Sequence, residues 1–268
     1  MTEASAQLGW ERLWREQGCD LDLEQPRPEV VELLPRLRAE GRSRVLDLGC
    51  GLGRHLLTLA AEGFQAYGSD ISPAAVAMCR RRLEETGLPG EVVHADMRAL
   101  PFGRDAFDAV IAWNVVYHAT LEDLLRAVEG VRESLRDGGY FLATFISVND
   151  SSYASALEGL ASGEVERLEP DTFVWAGDVR TDKALPHHYT TEQELRGRIL
   201  RGFRILSLRE NRRDWPEFER EPRFSAHWAV LARKEPRAAQ AGEAEHVKGK
   251  TATGPQTWPE NTTPTKSR

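Results

Sequence analysis

A glycine-rich run followed by an acidic residue is the first feature of the sequence that could do chemistry. Gly49, Gly51 and Gly53 lie between a strand-like run of valine and leucine and a helix-like segment. Glycine lets the backbone approach a ligand without a Cβ atom in the way, and a helix N-terminus presents unpaired N–H groups. Asp70 lies 21 residues after Gly49, at the end of the next strand-like segment. There its carboxylate can accept hydrogen bonds from both hydroxyls of a ribose, so the pattern favours a nucleoside-containing ligand over a plain tight turn.

The residues beside this loop discriminate among nucleotide ligands. A dinucleotide site has the pattern GxGxxG, but Arg54 occupies the sixth position and Gly53 comes one residue early. Asp47 would repel a pyrophosphate and attract an ammonium group. A phosphate-binding P-loop requires Lys-Ser or Lys-Thr after the glycines, and neither is present. NAD and nucleoside triphosphates therefore fit poorly.

Alternating strand-like and helix-like segments must position these residues. Ser72 and Pro73 open one of the helices as N-cap and first residue, and Asp137-Gly138-Gly139 marks a break before a strand. Such alternation predicts a mostly parallel sheet with helices on both faces and a ligand at the carboxyl ends of the strands. The predicted strands are 44–48, 65–70, 90–95, 107–114, 140–146, 204–209 and 226–232, and the predicted helices are 54–62, 73–85, 121–135 and 191–200.

The segments outside this alternation divide the chain. Amphipathic stretches at 6–17 and 28–38 predict an N-terminal helical lid over residues 1–39, ahead of a domain at 40–235. Residues 147–190 interrupt the pattern for too long to be a simple connection, which predicts an insertion on the substrate side. Residues 236–268 contain few apolar side chains, so we expect a disordered tail.

Four motifs occur in the order that is found in one enzyme family. Over roughly residues 40 to 234, the sequence resembles the class I S-adenosylmethionine-dependent methyltransferases. The resemblance implies a Rossmann-like α/β fold with a seven-stranded, mostly parallel sheet, an antiparallel last strand, helices on both faces and an insertion after strand five. The motifs are Asp47 to Gly53, Asp70-Ile71-Ser72-Pro73, Asp96-Met97 with Leu100-Pro101-Phe102, and Phe107-Asp108 through Trp113-Asn114.

The resemblance also implies S-adenosylmethionine as the cofactor and assigns residues to it. In the family, the glycine loop holds the methionine part, the acid of the second strand holds the ribose, and a later acid bonds the adenine amino group. For Asp96 alone, a turn or helix cap is an equal alternative. The implied cofactor-binding residues are Asp47, Gly49, Cys50, Gly51, Gly53, Asp70, Ile71, Asp96, Met97 and Asn114.

Histidine and tyrosine residues near two strand ends could act on a methyl acceptor. Transfer from a sulfonium is an in-line displacement that depends mainly on alignment, but a departing proton needs a base. The candidate catalytic residues are His118, His188 and Tyr117, with a hydrogen-bonded structural role as the alternative for each. We predict no metal site, because the neighbours His187 and His188 would point to opposite faces of an extended chain.

The charge and cysteine content of the chain limit the kinds of partner that it can bind. The net charge is −7, and the last 33 residues are net positive, so the body is acidic and unsuited to nucleic acid. The insertion is itself net negative, which suits a cationic or neutral acceptor. No membrane or secretory segment is evident, and Cys19, Cys50 and Cys79 form neither a CxxC pair nor a disulfide framework. These features predict a cytoplasmic protein.

The sequence therefore predicts an S-adenosylmethionine-dependent methyltransferase that acts on a small molecule, without a nucleic acid or membrane partner and with an undetermined oligomeric state. Methylation of a macromolecule is one alternative. A non-catalytic S-adenosylmethionine-binding or scaffold protein is another. A nicotinamide oxidoreductase is a third, already disfavoured by Arg54.

Overall fold

A seven-stranded sheet organises the part of the chain that the computed structural model describes, which is residues 3–17, 25–176, 182–215 and 223–236. Contacts divide the chain into residues 1–236 and 237–268. Except for Pro236, the predicted disordered tail lies outside the described residues, as does Cys19.

The secondary-structure elements follow one another with few long gaps. The strands are β1 (Arg44–Leu48), β2 (Gln65–Asp70), β3 (Glu91–His94), β4 (Phe107–Ala112), β5 (Leu135–Ile146), β6 (Val165–Glu169), β7 (Thr172–Trp175), β8 (His187–His188), β9 (Phe203–Trp215) and β10 (Arg223–Lys234). The helices are α1 (Glu3–Gln17), α2 (Pro28–Ala39), α3 (Arg54–Ala61), α4 (Pro73–Thr86), α5 (Leu121–Ser134), α6 (Ser151–Ser162) and α7 (Glu192–Glu194), with a 3₁₀ turn at Asp182–Ala184 and a π-helix at Leu195–Ile199. Among these described elements, no helix is both long and apolar enough to cross a membrane.

The large sheet has the strand order β3-β2-β1-β4-β5-β10-β9. Neighbouring strands from β3 to β5 are parallel, whereas β10 is antiparallel to both β5 and β9. The predicted fold class, a mostly parallel seven-stranded sheet with an antiparallel last strand, is confirmed. Because β1 and β4 are adjacent and their following helices diverge, the carboxyl ends of these strands form the crevice in which such sheets bind ligands.

Apolar stripes on the helices bind them to the sheet. Helices α2, α3 and α4 share one hydrophobic cluster with the first five strands. Helix α5 buries Leu124, Ala127, Val128 and Val131, which recur at the spacing of one helical face. The predicted cap of α4 is present: the Ser72 hydroxyl accepts a hydrogen bond from the Ala75 N–H, and Pro73 is the first helical residue. This cap fixes α4 directly after Asp70.

Strand β5 begins five residues before its predicted start at Tyr140. Its pairing with β4 shifts from Phe107 opposite Leu135 to Ala109 opposite Tyr140, so the predicted break at 137–139 is a bulge within the strand. Gly138 has a φ of +69°, a conformation that glycine adopts without strain. The glycines therefore interrupt the register and not the strand.

The predicted insertion at 147–190 has a fold of its own. It contains α6 and a small antiparallel sheet of β6, β7 and β8, built around a hydrophobic cluster that includes Val165, Phe173 and Tyr189. Its end returns to the large sheet, because the His188 N–H donates to the Tyr117 carbonyl and the Thr190 N–H donates to the Ile146 carbonyl. The return places the insertion beside the loop that follows β4.

The predicted helix at 191–200 is largely a π-helix, with only Glu192–Glu194 in α-helical geometry. Gly197 lies within this segment, and glycine is a poor helix former. Strands β9 and β10 extend well beyond their predicted ranges because they pair with each other along their length, with one irregularity between Leu231 and Ala232. Phe203 lies opposite Lys234 at one end, and Trp215 lies opposite Arg223 at the other.

Candidate functional site

The glycine loop takes its shape from backbone that only glycine adopts readily. Gly49 has a φ of +67°, and a Cβ atom at this position would lie 2.4 Å from Cγ2 of Val115. The Gly49 and Cys50 N–H groups both donate to the Ser69 carbonyl, at 2.7 and 2.9 Å. Strand β1 is thus tied to the end of β2 at the point where the chain turns into α3. Gly53 is the N-cap of α3.

Asp70 connects the glycine loop to the start of α4. One carboxylate oxygen accepts from the Gly51 N–H at 2.9 Å, and the other accepts from the Ser72 N–H at 2.9 Å. Burial raises the pKa of Asp70 to about 6, and the nearby charge of Asp47 raises it further, although the two backbone hydrogen bonds oppose the rise. Each oxygen keeps a second lone pair for a hydroxyl donor.

Asp47 lies beneath the loop and is only 2 % exposed. Its Oδ1 is 3.5 Å from Nδ1 of His55, while its Oδ2 has no hydrogen-bond partner among the described residues. A buried carboxylate oxygen that lacks a donor is costly, so this atom marks a place where a ligand ammonium group or a water molecule fits. The sequence does not single out His55. The signal for it is its position eight residues after Asp47, as the second residue of α3.

Asp96 forms the turn cap that the sequence left open as the alternative to an adenine-binding role. Its two oxygens accept a bidentate contact from the Arg98 guanidinium, at 2.6 to 3.0 Å, and one also accepts from the Arg98 N–H. Arg98 in turn donates to Asp123 at 3.1 Å. Burial raises the pKa of Asp96, but the bonds from Arg98 outweigh it and leave the pKa below its usual value. Asp96 is therefore a turn cap whose charged side chain also lines a cleft.

Two adjoining cavities collect most of the predicted residues. Trp10, Trp14, Gly49, Asn114 and His118 line both cavities. The first cavity is also lined by Asp70, Ile71, Asp96 and Met97, and the second by Cys50, Gly51, Tyr117 and Asp182. Gly53, Asp47 and His188 border neither cavity.

Asn114 marks the boundary between the cavities. It has a φ of +58°, which is unusual for a residue other than glycine but tolerated by asparagine. Its N–H donates to the Thr144 hydroxyl at 2.7 Å, and that hydroxyl donates to the Asn114 Oδ1 at 3.0 Å. These bonds hold the end of β4 in a sharp turn that leads directly to Val115, Tyr117 and His118.

Helix α1 covers the cleft. Trp14 lies against the glycine loop, where a Cβ atom on Gly51 would be 2.7 Å from its ring. Trp10 packs edge-on against His118, with ring centroids 4.9 Å apart. The Glu11 carboxylate accepts hydrogen bonds from the Ser72 hydroxyl and the Ala74 N–H. The side chains of one helix face therefore contact the cleft and the N-terminus of α4 together.

His118 and Asp182 line the second cavity, and His187 packs against both of them without bordering either cavity. The rings of His118 and His187 lie 4.6 Å apart in an edge-to-face arrangement. The His187 Nε2 is 3.6 Å from a carboxylate oxygen of Asp182, and its Nδ1 is 2.9 Å from the Leu185 carbonyl. Burial, together with the adjacent His187, lowers the pKa of His118 well below its usual value. His118 is therefore neutral at pH 7.

Tyr117 and His188, the other two candidate catalytic residues, have different surroundings. Burial raises the pKa of Tyr117 well above its usual value, and its hydroxyl is 3.2 Å from Nε2 of His227. His188 lies between the Thr172 hydroxyl, at 2.7 Å, and the Glu194 carboxylate, at 3.1 Å. Because neighbours on a strand face opposite sides, the structure brings His187 to the cluster and directs His188 away from it. The sequence shows two adjacent histidines but not which of them joins the cluster.

Cys50 borders the second cavity without the environment of a nucleophile. A hydrogen bond with Cys79 raises the pKa of its thiol well above the usual value, as does burial. The thiol therefore stays protonated.

Comparison with known proteins shows which proteins this chain is similar to. Residues 45–139 match a family model described as a methyltransferase domain. A ubiquinone biosynthesis O-methyltransferase of Cereibacter sphaeroides is 29% identical over 140 residues, which are 52% of this chain and 56% of that protein. The chain thus spans about half the length of the curated relatives it matches.

Solved structures share the fold over a longer stretch. An S-adenosylmethionine-dependent methyltransferase from Methanosarcina mazei has a TM-score of 0.63 at 20% identity, covering 79% of this chain and 99% of that one. A 1,6-didemethyltoxoflavin N1-methyltransferase from Burkholderia thailandensis has a TM-score of 0.59 at 18% identity, covering 87% and 90%. Residues 45–139 thus match a methyltransferase domain, and the chain shares the Rossmann-like fold of these solved structures.

Proposed function

We propose that the protein is an S-adenosylmethionine-dependent methyltransferase that transfers a methyl group to a small molecule by in-line displacement. The observation that carries the proposal is the shared border of the two cavities at Asn114 and His118. Acids suited to a ribose and an adenine lie on one side of this border, and a histidine cluster lies on the other. A donor and an acceptor bound in these cavities would meet at the border.

Residues of the first cavity fit the cofactor. Asp70 offers two partly satisfied oxygens to the ribose hydroxyls, and Asp96 with Met97 lines the wall where the family binds adenine. The unpartnered Oδ2 of Asp47 lies beneath the loop that would hold the methionine part. When bound, the cofactor supplies a methyl group that is already activated by a sulfonium.

The second cavity fits an acceptor with an aromatic or apolar body. Trp10 and Trp14 provide flat apolar surface, and the cluster of His118, His187 and Asp182 provides the polar end. A neutral imidazole within this cluster takes up the proton that an acceptor hydroxyl or amine releases. His187 thereby replaces His188 as the second imidazole of the active site. Tyr117 keeps its proton, so its hydroxyl can act as a hydrogen-bond donor.

The relatives support a small acceptor, since their names specify a ubiquinone precursor pathway and a toxoflavin precursor. The names also specify oxygen in one case and nitrogen in the other, so both kinds of acceptor belong in the test. Helix α1 acts as a lid on this acceptor, and the insertion at 147–190 forms the acceptor side of the pocket. The net negative charge supports a partner other than nucleic acid, and the free thiols of Cys50 and Cys79 agree with a cytoplasmic location.

Two measurements on the full chain test the proposal. Calorimetry with S-adenosylhomocysteine should show one site, and incubation with S-adenosylmethionine and a panel of phenols, amines, thiols and carboxylates should yield methylated products by mass spectrometry. Tight binding without transfer to any compound would favour the non-catalytic alternative. Preferential binding of a nicotinamide cofactor would contradict the proposal.

A further inference from the structure

Three side chains that suit a metal ion converge beside the cleft from three separate segments. His118 follows β4, Asp182 opens the 3₁₀ turn, and His187 begins β8. Each offers one ligand atom, and these atoms lie within 4.8 Å of one another. Two imidazoles and one carboxylate form a donor set that binds divalent transition metals and leaves coordination positions open.

The hydrogen bonding of His187 prepares its ring for a cation. Its Nδ1 is 2.9 Å from the Leu185 carbonyl, and a carbonyl only accepts, so Nδ1 carries a hydrogen. In the neutral ring, Nε2 then has a free lone pair, and this atom faces the Asp182 carboxylate at 3.6 Å. Two acceptors that face each other need a proton or a cation between them. Metal-binding histidines commonly donate their second nitrogen to a carbonyl in this way.

His118 gives an independent observation. It is 7 % exposed, and its Nδ1 is buried without a hydrogen-bond partner among the residues that the structure describes. Trp10, Tyr117 and His187 surround the ring with aromatic edges and faces. A buried imidazole nitrogen with an unmet bonding capacity, in a ring whose centroid lies 4.6 Å from that of His187, is costly unless it gains a further partner.

The spacing of the donors suits an ion after a small adjustment. Zinc bonds of about 2.0–2.2 Å place neighbouring donors about 3.0–3.6 Å apart, which the His187–Asp182 pair already satisfies at 3.6 Å. His118 must approach by about 1 Å. Among the described residues, Lys183 places a positive charge close enough to act on His118 and Asp182, but its ammonium lies 4.8 Å over the ring of Trp175 and 3.5 Å from the Tyr189 hydroxyl.

We propose that His118, Asp182 and His187 bind one divalent transition-metal ion, with Zn²⁺ as the probe, at the acceptor end of the cleft. The sequence-based prediction of no metal site assumed that the ligands would be His118, His187 and His188, two of which are neighbours that point to opposite faces of the chain. The proposed ligand set contains Asp182 in place of His188, so that argument against a metal site does not apply to it.

The site would narrow the class of acceptor. With the ion bound, His118 and His187 would serve as ligands instead of taking up a proton. An acceptor hydroxyl or thiol that coordinates the ion would then lose its proton to water near neutral pH, because a divalent metal lowers the pKa of a bound oxygen or sulfur ligand. This consequence rests on the proposed methyl transfer, whereas metal binding itself does not. The two are tested separately.

Metal binding is measured on the full chain after treatment with a chelator. Titration with Zn²⁺ followed by calorimetry should give one ion per chain, and Co²⁺ should give visible absorption bands that Zn²⁺ abolishes. Asp182→Asn and His187→Gln should each weaken Zn²⁺ binding by at least about tenfold. His94→Gln is the matched control, because His94 is an exposed histidine outside the cluster, and it should bind Zn²⁺ as the unaltered protein does.

S-adenosylhomocysteine binding and thermal unfolding show whether each variant is folded. Asp182→Asn is the variant that should disturb folding least, because the Asp182 side chain is 41% exposed. Absence of one-to-one binding in the unaltered protein would overturn the proposal. Undiminished binding in both cluster variants would overturn it as well, whatever the protein does with a methyl acceptor.

Discussion

Glu11 of α1 accepts a hydrogen bond of 2.6 Å from the hydroxyl of Ser72, the residue that caps α4. Because Ser72 also donates its N–H to Asp70, one short chain of contacts connects the helix over the cleft to the acid beneath it. The Glu11 carboxylate is therefore one of the contacts that hold Trp10 and Trp14 over the cavities.

Replacement of this carboxylate should loosen α1. Glu11→Gln keeps the shape of the side chain but removes the charge that strengthens its bonds to Ser72 and the Ala74 N–H. A charge-assisted hydrogen bond contributes about 1.5–3 kcal/mol, so we expect S-adenosylhomocysteine to bind about tenfold more weakly by calorimetry. Glu32→Gln, at an exposed position of α2, is the control. Equal affinity in the two variants would show that α1 does not act as a lid.

Asp70 should make cofactor binding dependent on pH. Its pKa is about 6 because of burial, and the ionised form is the one that accepts two ribose hydroxyls. The proton must leave before the ligand binds, so affinity for S-adenosylhomocysteine should fall about tenfold per pH unit below pH 6. The raised pKa has the opposite effect on stability: the contribution of Asp70 is greatest below pH 4 and is lost as pH rises through 6.

Two variants identify the titrating group in that experiment. Asp70→Asn should bind weakly at every pH and lose the inflection, while His94→Gln should keep it, even though His94 lies close enough to lower the pKa of Asp70. Calorimetry between pH 4.5 and 7.5 gives both curves. An inflection that persists in Asp70→Asn would assign it to another group.

Alanine variants of Gly49 and Gly63 distinguish the effect of backbone strain from the effect of a steric clash. Both have positive φ, but a Cβ on Gly49 would collide with Val115, whereas one on Gly63 would meet nothing within 4 Å. Gly63→Ala should cost about 1–2 kcal/mol of unfolding free energy and leave S-adenosylhomocysteine binding intact. Gly49→Ala should cost more and abolish binding. Urea unfolding and calorimetry measure the two effects, and normal binding by Gly49→Ala would contradict the proposed loop contact.

His118 and His188 should differ in what their replacement impairs. His118→Gln should lower the rate at which a methyl acceptor is methylated by about 10²- to 10⁴-fold, the usual contribution of a proton-transfer group. The affinity of this variant for S-adenosylhomocysteine should be unchanged. His188→Gln loses its geometry with Thr172 and Glu194 and should lower the free energy of unfolding by about 1–3 kcal/mol. Its turnover per folded molecule should stay near that of the unaltered protein. A large loss of turnover in the folded His188 variant would reverse the assignment.

The central strands and the glycine loop were predictable because their signals are local. A continuous apolar run, such as Ala109 to Ala112, indicates a strand buried on both faces, and the Ser72-Pro73 cap marks a helix start within one residue. The same locality explains why the cofactor side of the site was expected residue by residue. Most of those residues line the two adjoining cavities, although Asp47 and Gly53 border neither, and this placement does not test their roles.

The remaining features depend on contacts between distant segments. Whether His187 or His188 joins His118 and Asp182 is set by the pairing of β8 with β7, where Phe173 lies opposite His187 and Thr172 opposite His188. A shift of one residue in that register would exchange the two rings. Asp182 joins the cluster through the same packing, and local sequence gives no indication of it.

The return of the insertion to the loop after β4 separates two tasks that the protein must perform. Only a short stretch of the described insertion, including Asp182 and Pro186, reaches the cavities, whereas the residues suited to the cofactor all precede β5. Substitutions in this stretch can therefore alter acceptor preference while the donor half keeps its sequence. On the proposed function, the cofactor residues and the acceptor residues therefore lie in separate stretches of the chain that meet at His118.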